Sequence, residues 1–232
     1  RVIEPLSDYA SESALIYIRI KIEVLYFIAL SDIGIVRKLS SDEKTLLENI
    51  YSVREERKLN IVKKYEAEVN HDVKAVELFL RNELKNTSLK DSIEKLHYCL
   101  TSEDVNNLAY RIMLKSSLDN IFFPTASELL NELLKLTNNY KGLVIMGRTH
   151  GQDAVPTTFG KEIAVFTLRL AKIYKTLKNL KLTGKFNGAI GGWNAHVFIE
   201  PHINWEKFSK NFVESLGLEY EYLTTQINHF DD

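Results

Sequence analysis

The segment Gly147-Arg-Thr-His-Gly-Gln152 follows the apolar run Leu143–Met146 and precedes Pro156. A core histidine sits on an apolar face. His150 instead lies among polar residues, with Thr149 before it and Gln152 close after it. Histidine is the side chain best suited to moving a proton near neutral pH. The glycines let the backbone turn tightly and approach a ligand closely. The segment therefore reads either as a proton-transfer site or as a solvated surface loop.

Two further polar clusters open helical patterns. Glu68-Val-Asn-His-Asp-Val-Lys-Ala-Val-Glu77 places Asn70, His71 and Asp72 where a short helix should begin, with Lys74 on the side of His71. Asn70 fits a helix N-cap and Asp72 complements the helix dipole; alternatively, the three residues face a cleft. In His97-Tyr-Cys-Leu-Thr-Ser-Glu-Asp-Val-Asn-Asn107, Thr101 with Asp104 resembles a capping box. The same start offers N–H groups and the hydroxyls of Thr101 and Ser102 to an anion such as a carboxylate. Glu103 and Asp104 weigh against an anion, because they already bring negative charge. Asn106 and Asn107 cost helix propensity without an evident gain. Gly184-Lys-Phe-Asn-Gly-Ala-Ile-Gly-Gly192 lacks a predicted preceding strand and the ending of a phosphate loop. Its glycines read as a helix end and a tight junction.

These clusters need elements to hold them. Ile18–Val24 alternates apolar and charged residues, which alone suggests a strand. Ala14, Leu15, Ile18, Leu25, Ile28 and Ala29 also fit a helix repeat, and no turn residue intervenes before Ser31, so a helix is expected. A second helix should run from Ser41-Asp42-Glu43 to about Tyr65, a short one should follow Asn70, and 85–90 should be a loop. A long helical pattern runs from Thr101 to about Tyr140, with a kink expected at Pro124. One or two short strands are expected near Leu143–Met146. Phe159, Ile163, Phe166, Leu170, Ile173, Leu177 and Leu180 step alternately by 4 and 3. That is a heptad seam, which packs against other long helices. One more helix is expected over about 203–217. The fold class is mainly α, with long helices of a kind that usually belong to an extended bundle completed by other chains.

Composition narrows the function. In 232 residues, 30 Lys and Arg nearly balance 31 Asp and Glu, giving a formal net charge of −1. This argues against a partner held by bulk charge, such as nucleic acid or an anionic membrane surface. The single cysteine, Cys99, excludes an intrachain disulfide and suits a reducing compartment. The 6 histidines show no zinc-finger or HExxH spacing, so no metal is expected. Arg19, Lys21 and Glu23 interrupt the most apolar stretch, so no membrane span is expected there. No signal peptide is visible, and the start at Arg1 and end at Asp231-Asp232 suggest a piece of something longer.

Taken together, "NHDVKAVE" (70–77), "TSEDVNN" (101–107), "GRTHGQDAVPTTFGKE" (147–162), "GKFNGAIGGWNAH" (184–196) and "TTQI" (224–227) resemble, in order and approximate spacing, the adenylosuccinate lyases of the fumarase/aspartase superfamily. The resemblance covers nearly the whole chain. In the sister fumarases and argininosuccinate lyases leucine follows the histidine of the central motif; here Gly151 does. The resemblance implies β-elimination of fumarate from adenylosuccinate, and from the matching imidazole-carboxamide intermediate of purine synthesis. No cofactor is implied, because the substrate carboxylate is the electron sink. By the same resemblance His150 is the general acid for the leaving nitrogen and His71 assists it. Thr149 and Gln152 position substrate, Asn70 and Asp72 bind it, Thr101 and Ser102 bind the succinyl part, His97 lines the site, and Gln226 contacts substrate. An N-terminal helical domain over about 1–95 and part of a long antiparallel bundle over about 96–232 are implied. So is a cytoplasmic homotetramer whose active sites are shared between chains.

The resemblance has gaps. The family's catalytic serine loop, of the form GSSxMPxKxNP, has no counterpart here, which implies that this stretch alone is inactive. The early "DGRY" segment is absent, and Arg1 does not clearly replace it. The family's "TQIEPHD" reads "TQINHFD", with Asn228 in place of glutamate. Two other readings stand beside this one: a sister fumarate-releasing lyase, and a non-catalytic helical scaffold.

Overall fold

The computed structural model describes residues 4–231; the expectations that touch Arg1 and Asp232 lie outside the described residues. The chain divides into two compact units, one of residues 1–115 with 181–232 and one of residues 116–180.

The first unit is built around helix α1 (Glu12–Asp32), started by the Ser11 side chain accepting from the Ala14 amide. Ile20, Ile22, Val24, Tyr26 and Phe27 are all fully buried. The helix is packed by α2 (Ser41–Ser52), α3 (Glu56–Val69) and α4 (Asp72–Leu84). A helix enclosed on many sides is apolar all round, so its alternating segment says nothing about strand. Each fully buried Phe or Leu contributes roughly 1.5–3 kcal/mol. A 3-10 turn over Ser88–Asp91, capped by Thr87, occupies part of the stretch expected to be a plain loop.

The single helix expected from Ser41 to Tyr65 is two helices. The backbone is extended at Val53 and Glu55. The buried Lys58 ammonium donates to the carbonyls of Ile50 (2.9 Å) and Val53 (2.8 Å), satisfying the end of α2. The Tyr17 hydroxyl holds Glu55 from α1, donating to its carbonyl at 2.7 Å. No glycine or proline marks this break, so the sequence hides it.

Helix α5 (Ser102–Ser117) is followed by a π turn over Leu118–Phe122, and α6 (Phe123–Asn139) begins after it. The expected kink at Pro124 is thus a π turn ahead of it, and Pro124 sits in the first turn of α6, where a missing N–H costs little. In the second unit, strands β1 (Val144–Thr149) and β2 (Gln152–Thr158) form an antiparallel hairpin, longer than the short strands expected. Helix α7 (Phe159–Lys178) carries the heptad seam and packs against α6. The seam is largely uncovered within the unit: Phe166 is 59% and Ile173 66% exposed.

The rest of the first unit joins its core through aromatic rings. The Phe186 ring meets Tyr26 edge-on at 5.1 Å and lies 4.6 Å from Phe212. A two-residue strand β3 (Thr183–Gly184) precedes the glycine-rich segment after all. Beyond the short helix α8 (Asn194–Ile199), which the sequence did not suggest, α9 (Trp205–Ser215) leads to β4 (Glu219–Tyr220), and β4 pairs parallel with β3. Among the described residues no helix is long and apolar enough to cross a membrane. No group of three or more His, Cys, Asp or Glu among them could hold a metal ion.

Candidate active site

The first polar cluster sits where α3 ends and α4 begins. Asn70 is not an N-cap: it ends α3 in the left-handed conformation, with φ 51°. The N-cap of α4 is His71, whose Nδ1 accepts from the Lys74 amide at 3.2 Å. That bond needs a lone pair on Nδ1 and leaves the ring proton on Nε2. Nε2 lies 3.3 Å from the Ser102 hydroxyl, so His71 can donate to it. Asp72 is fixed by the buried Arg19, whose Nη2 donates to Oδ2 at 2.5 Å. Asn70, His71 and Asp72 line a shallow cleft of about 570 Å³ with Lys63, Glu66 and Ala67. Lys74, expected beside them, is not part of its lining; its ammonium donates to Glu77 at 2.8 Å.

The start of α5 meets this cluster through Ser102. Asp104 accepts from the Thr101 amide at 3.0 Å, the reciprocal half of the capping box. Asp104 is fully buried and pairs with the fully buried Lys185 at 3.1 Å. It also accepts from the Asn187 and Gly188 amides. Burial pushes the Glu103 carboxyl up against the pull of Lys185, and Asp104 pushes it the same way. The objection that two free carboxylates would repel an anion here is therefore weakened for one of them, because Asp104 is held in the ion pair with Lys185.

The two asparagines in α5 also find their use. Asn106 accepts from Arg19 Nε at 2.9 Å. Asn107 donates to the Lys185 carbonyl at 3.0 Å and accepts from the Lys185 amide at 2.9 Å. Lys185 Nζ then donates to the carbonyl of Gln226 at 2.8 Å and to that of Gly188 at 2.7 Å. The backbone of Gln226 is thereby tied to the same buried centre as the start of α5. A Cβ on Gly191 would overlap the Thr224 carbonyl, so only glycine lets the two loops meet there. Asn228, to which no role was given, is buried and donates to the Thr183 carbonyl at 3.2 Å.

His97 is part-buried, and its Nδ1–H donates to Glu23 Oε1 at 2.5 Å. Burial lowers its affinity for a proton, but the Glu23 charge and hydrogen bond more than offset this, with Glu77 and Asp104 adding to them; the net shift is upward.

His150 belongs to the other unit. It is not in a loose loop but in the two-residue turn of the β1–β2 hairpin, where His150 and Gly151 both have positive φ, 53° and 75°. Positive φ at both central residues is the type I′ pattern that hairpin twist favours. Thr149 and Gln152 are the ladder pair that flanks the turn, and Arg148 and Asp153, the next pair, lie 3.4 Å apart. All of these side chains are exposed. Asn70, His97 and His150 thus share left-handed backbone near φ 50°, an uncommon state for residues other than glycine that clusters at functional sites.

The sequence reasoning missed Arg19, Glu23 and Lys185. Charges inside an otherwise apolar helix were the available signal for the first two, since a buried charge must be paired.

His196 carries a prediction of its own. It is 2% exposed, edge-on to Trp205 at 4.7 Å, and its Nδ1 has no protein partner. Burial pulls it down to about 4, with Asp104 opposing. The folded value lies below the unfolded one, so the associated stability is intact above about pH 6.5 and is lost as pH falls toward 4. The shift corresponds to on the order of 3 kcal/mol. His196→Gln should therefore flatten the acid loss of stability, read as urea midpoints at neutral and mildly acidic pH. An unchanged pH dependence would contradict it.

Against known proteins, the family model described as "Lyase" matches residues 3–232. Adenylosuccinate lyase of Legionella pneumophila (strain Corby) is 39% identical over 97% of this chain and 50% of its own length. The Haemophilus influenzae adenylosuccinate lyase is 39% identical over 99% of this chain and 51% of its own, and the Escherichia coli K12 one 34% over the same shares. The chain spans about half the length of these curated relatives. Fumarate lyase from Mesorhizobium sp. BNC1 superposes with a TM-score of 0.77 over 95% of this chain and 49% of its own, at 18% identity, a likeness of fold. With its family model matched from residue 3 to residue 232, this chain belongs to the lyase family.

Proposed function

We propose that the protein is an adenylosuccinate lyase, a carbon–nitrogen lyase of purine and AMP biosynthesis. It removes fumarate from adenylosuccinate to leave AMP, and from the succinylaminoimidazole-carboxamide ribotide. The carrying observation is the junction of α4 with α5, where His71 Nε2 lies 3.3 Å from the Ser102 hydroxyl at the start of α5. The 34–39% identity to enzymes of that name supports the same reading.

A base takes a proton from the succinyl carbon next to one carboxylate, and the electron pair spreads onto that carboxylate. The C–N bond then breaks as the pair forms the fumarate double bond, and His150 gives its proton to the leaving nitrogen. Thr101 and Ser102, at the start of α5, bind the succinyl carboxylate; a helix start with hydroxyls stabilises the charge that develops there. Asn70, Asp72, His97 and Gln226 bind substrate, Thr149 and Gln152 orient it beside His150, and His71 assists the acid. The electron sink is the substrate itself, so no cofactor enters. The exposed seam of α7 supports a homotetramer with active sites drawn from more than one chain. A helical domain over about 1–95 ahead of a bundle and a cytoplasmic location complete the reading.

Incubated with adenylosuccinate, the intact protein should release AMP and fumarate in equal amounts; a folded protein that releases neither overturns the proposal. Within it, Thr101→Val should raise KM about tenfold, the effect of losing one hydrogen bond to a charged group, and change kcat less. An unchanged KM would remove Thr101 from the succinyl site.

A further inference from the structure

Glu23 lies in the middle of α1 with its side chain wholly enclosed, 0% exposed. Its Oε1 accepts a hydrogen bond from the His97 Nδ1–H at 2.5 Å, while Oε2 is buried without a protein partner. An enclosed carboxylate is costly to desolvate, and an apolar residue of similar size would usually be at least as stable. The arrangement therefore works against stability unless His97 needs it. His97 is itself constrained, at φ 54°. With Nδ1 engaged, Nε2 is the nitrogen available to a ligand.

We propose that Glu23 is a positioning residue: its carboxylate, hydrogen-bonded to Nδ1, fixes the His97 ring and favours the charged imidazolium, so that Nε2–H is presented to an anionic group of the substrate. The other charged groups that bear on His97 point the same way. Glu77, on α4, is held by Lys74 and Arg81, and Asp104, on α5, is paired with Lys185. Both favour the charged ring less than Glu23 does. Without Glu23, burial dominates and the ring becomes neutral at a lower pH. The inference rests on the proposed function for the placing of His97 at the substrate and for the identity of the anion, which is either a succinyl carboxylate or the nucleotide phosphate.

Deuterium exchange at the imidazole C2 position, read by mass spectrometry on the tryptic peptide 96–111, reports His97 ionisation without any assay of turnover; that peptide holds no other histidine. The midpoint in the intact protein should lie above that of the same histidine in denatured protein. Glu23→Gln, which keeps shape and a hydrogen-bonding partner but removes charge, should lower it by at least about one pH unit; Glu23→Asp should restore part of the shift. With adenylosuccinate, Glu23→Gln should raise KM at least about tenfold while kcat stays within about threefold. If the penalty persists with succinyladenosine, the anion is the carboxylate; if it disappears, the anion is the phosphate.

A Glu23→Gln midpoint equal to wild type, or an unchanged KM, overturns the proposal. Should Glu23→Gln fail to fold, the wild-type midpoint still decides: a value at or below the denatured reference overturns it. A protein that turns over no adenylosuccinate would sink the proposed function, and the exchange midpoint would still judge the hold of Glu23 on His97.

Discussion

His150→Ala is expected to lower kcat by at least about a hundredfold, the lower end of what a positioned general acid supplies. The fold should be intact, because the side chain is exposed at a hairpin tip and supports no core. Removing it also relieves no burial and breaks no ion pair, so a loss of activity could not be ascribed to instability. The left-handed backbone at 53° suits histidine better than alanine, a local preference at an exposed tip, and Gly151 occupies the other positive-φ turn position. A steady-state assay with matched circular dichroism checks this. Activity within threefold of wild type would remove His150 from the chemistry and leave it a turn residue.

Lys185→Met is expected to destabilise the protein by about 3–5 kcal/mol, the usual effect of removing one partner of a buried ion pair. Lys185 and Asp104 are both fully enclosed, and the substitution strands the Asp104 charge. It also frees the carbonyls of Gly188 and Gln226 from their shared donor. Against a total stability of roughly 5–15 kcal/mol, this is a large fraction. Urea unfolding with Lys185→Met, Asp104→Asn and the double variant tests it. The double variant should be less destabilised than the sum of the two singles, since it buries no unpaired charge. A Lys185→Met protein within about 1 kcal/mol of wild type, a small fraction of the usual penalty, would show that the pair is not what holds these loops.

The polar clusters at 70–72, 101–107 and 147–152 were legible because polar residues gathered at helix starts and turns are conspicuous in a helical sequence. The structure places them at such starts and turns. The boundary between Asn70 and His71 was misread because asparagine is a good N-cap and also a good left-handed helix end; only the Lys74 amide decides between them. The break between α2 and α3 was not legible, since Lys58, eight residues beyond the Ile50 carbonyl it binds, and not a glycine or proline, closes α2. The strand β3 and the helix α8 are too short to leave a periodic signal. Asn106 and Asn107 looked like a cost without a gain. Their partners, Arg19 and Lys185, are 87 and 78 residues away in sequence. Arg19 and Glu23 were read only as evidence against a membrane span. Their positive role, holding Asp72 and His97, depends on contacts that no local pattern contains.

The most direct test of the central claim is to offer adenylosuccinate and argininosuccinate separately to the intact protein and follow fumarate release from each. The account predicts release from adenylosuccinate, with AMP as co-product, and none from argininosuccinate. A folded protein that cleaves argininosuccinate instead, or neither compound, would contradict it.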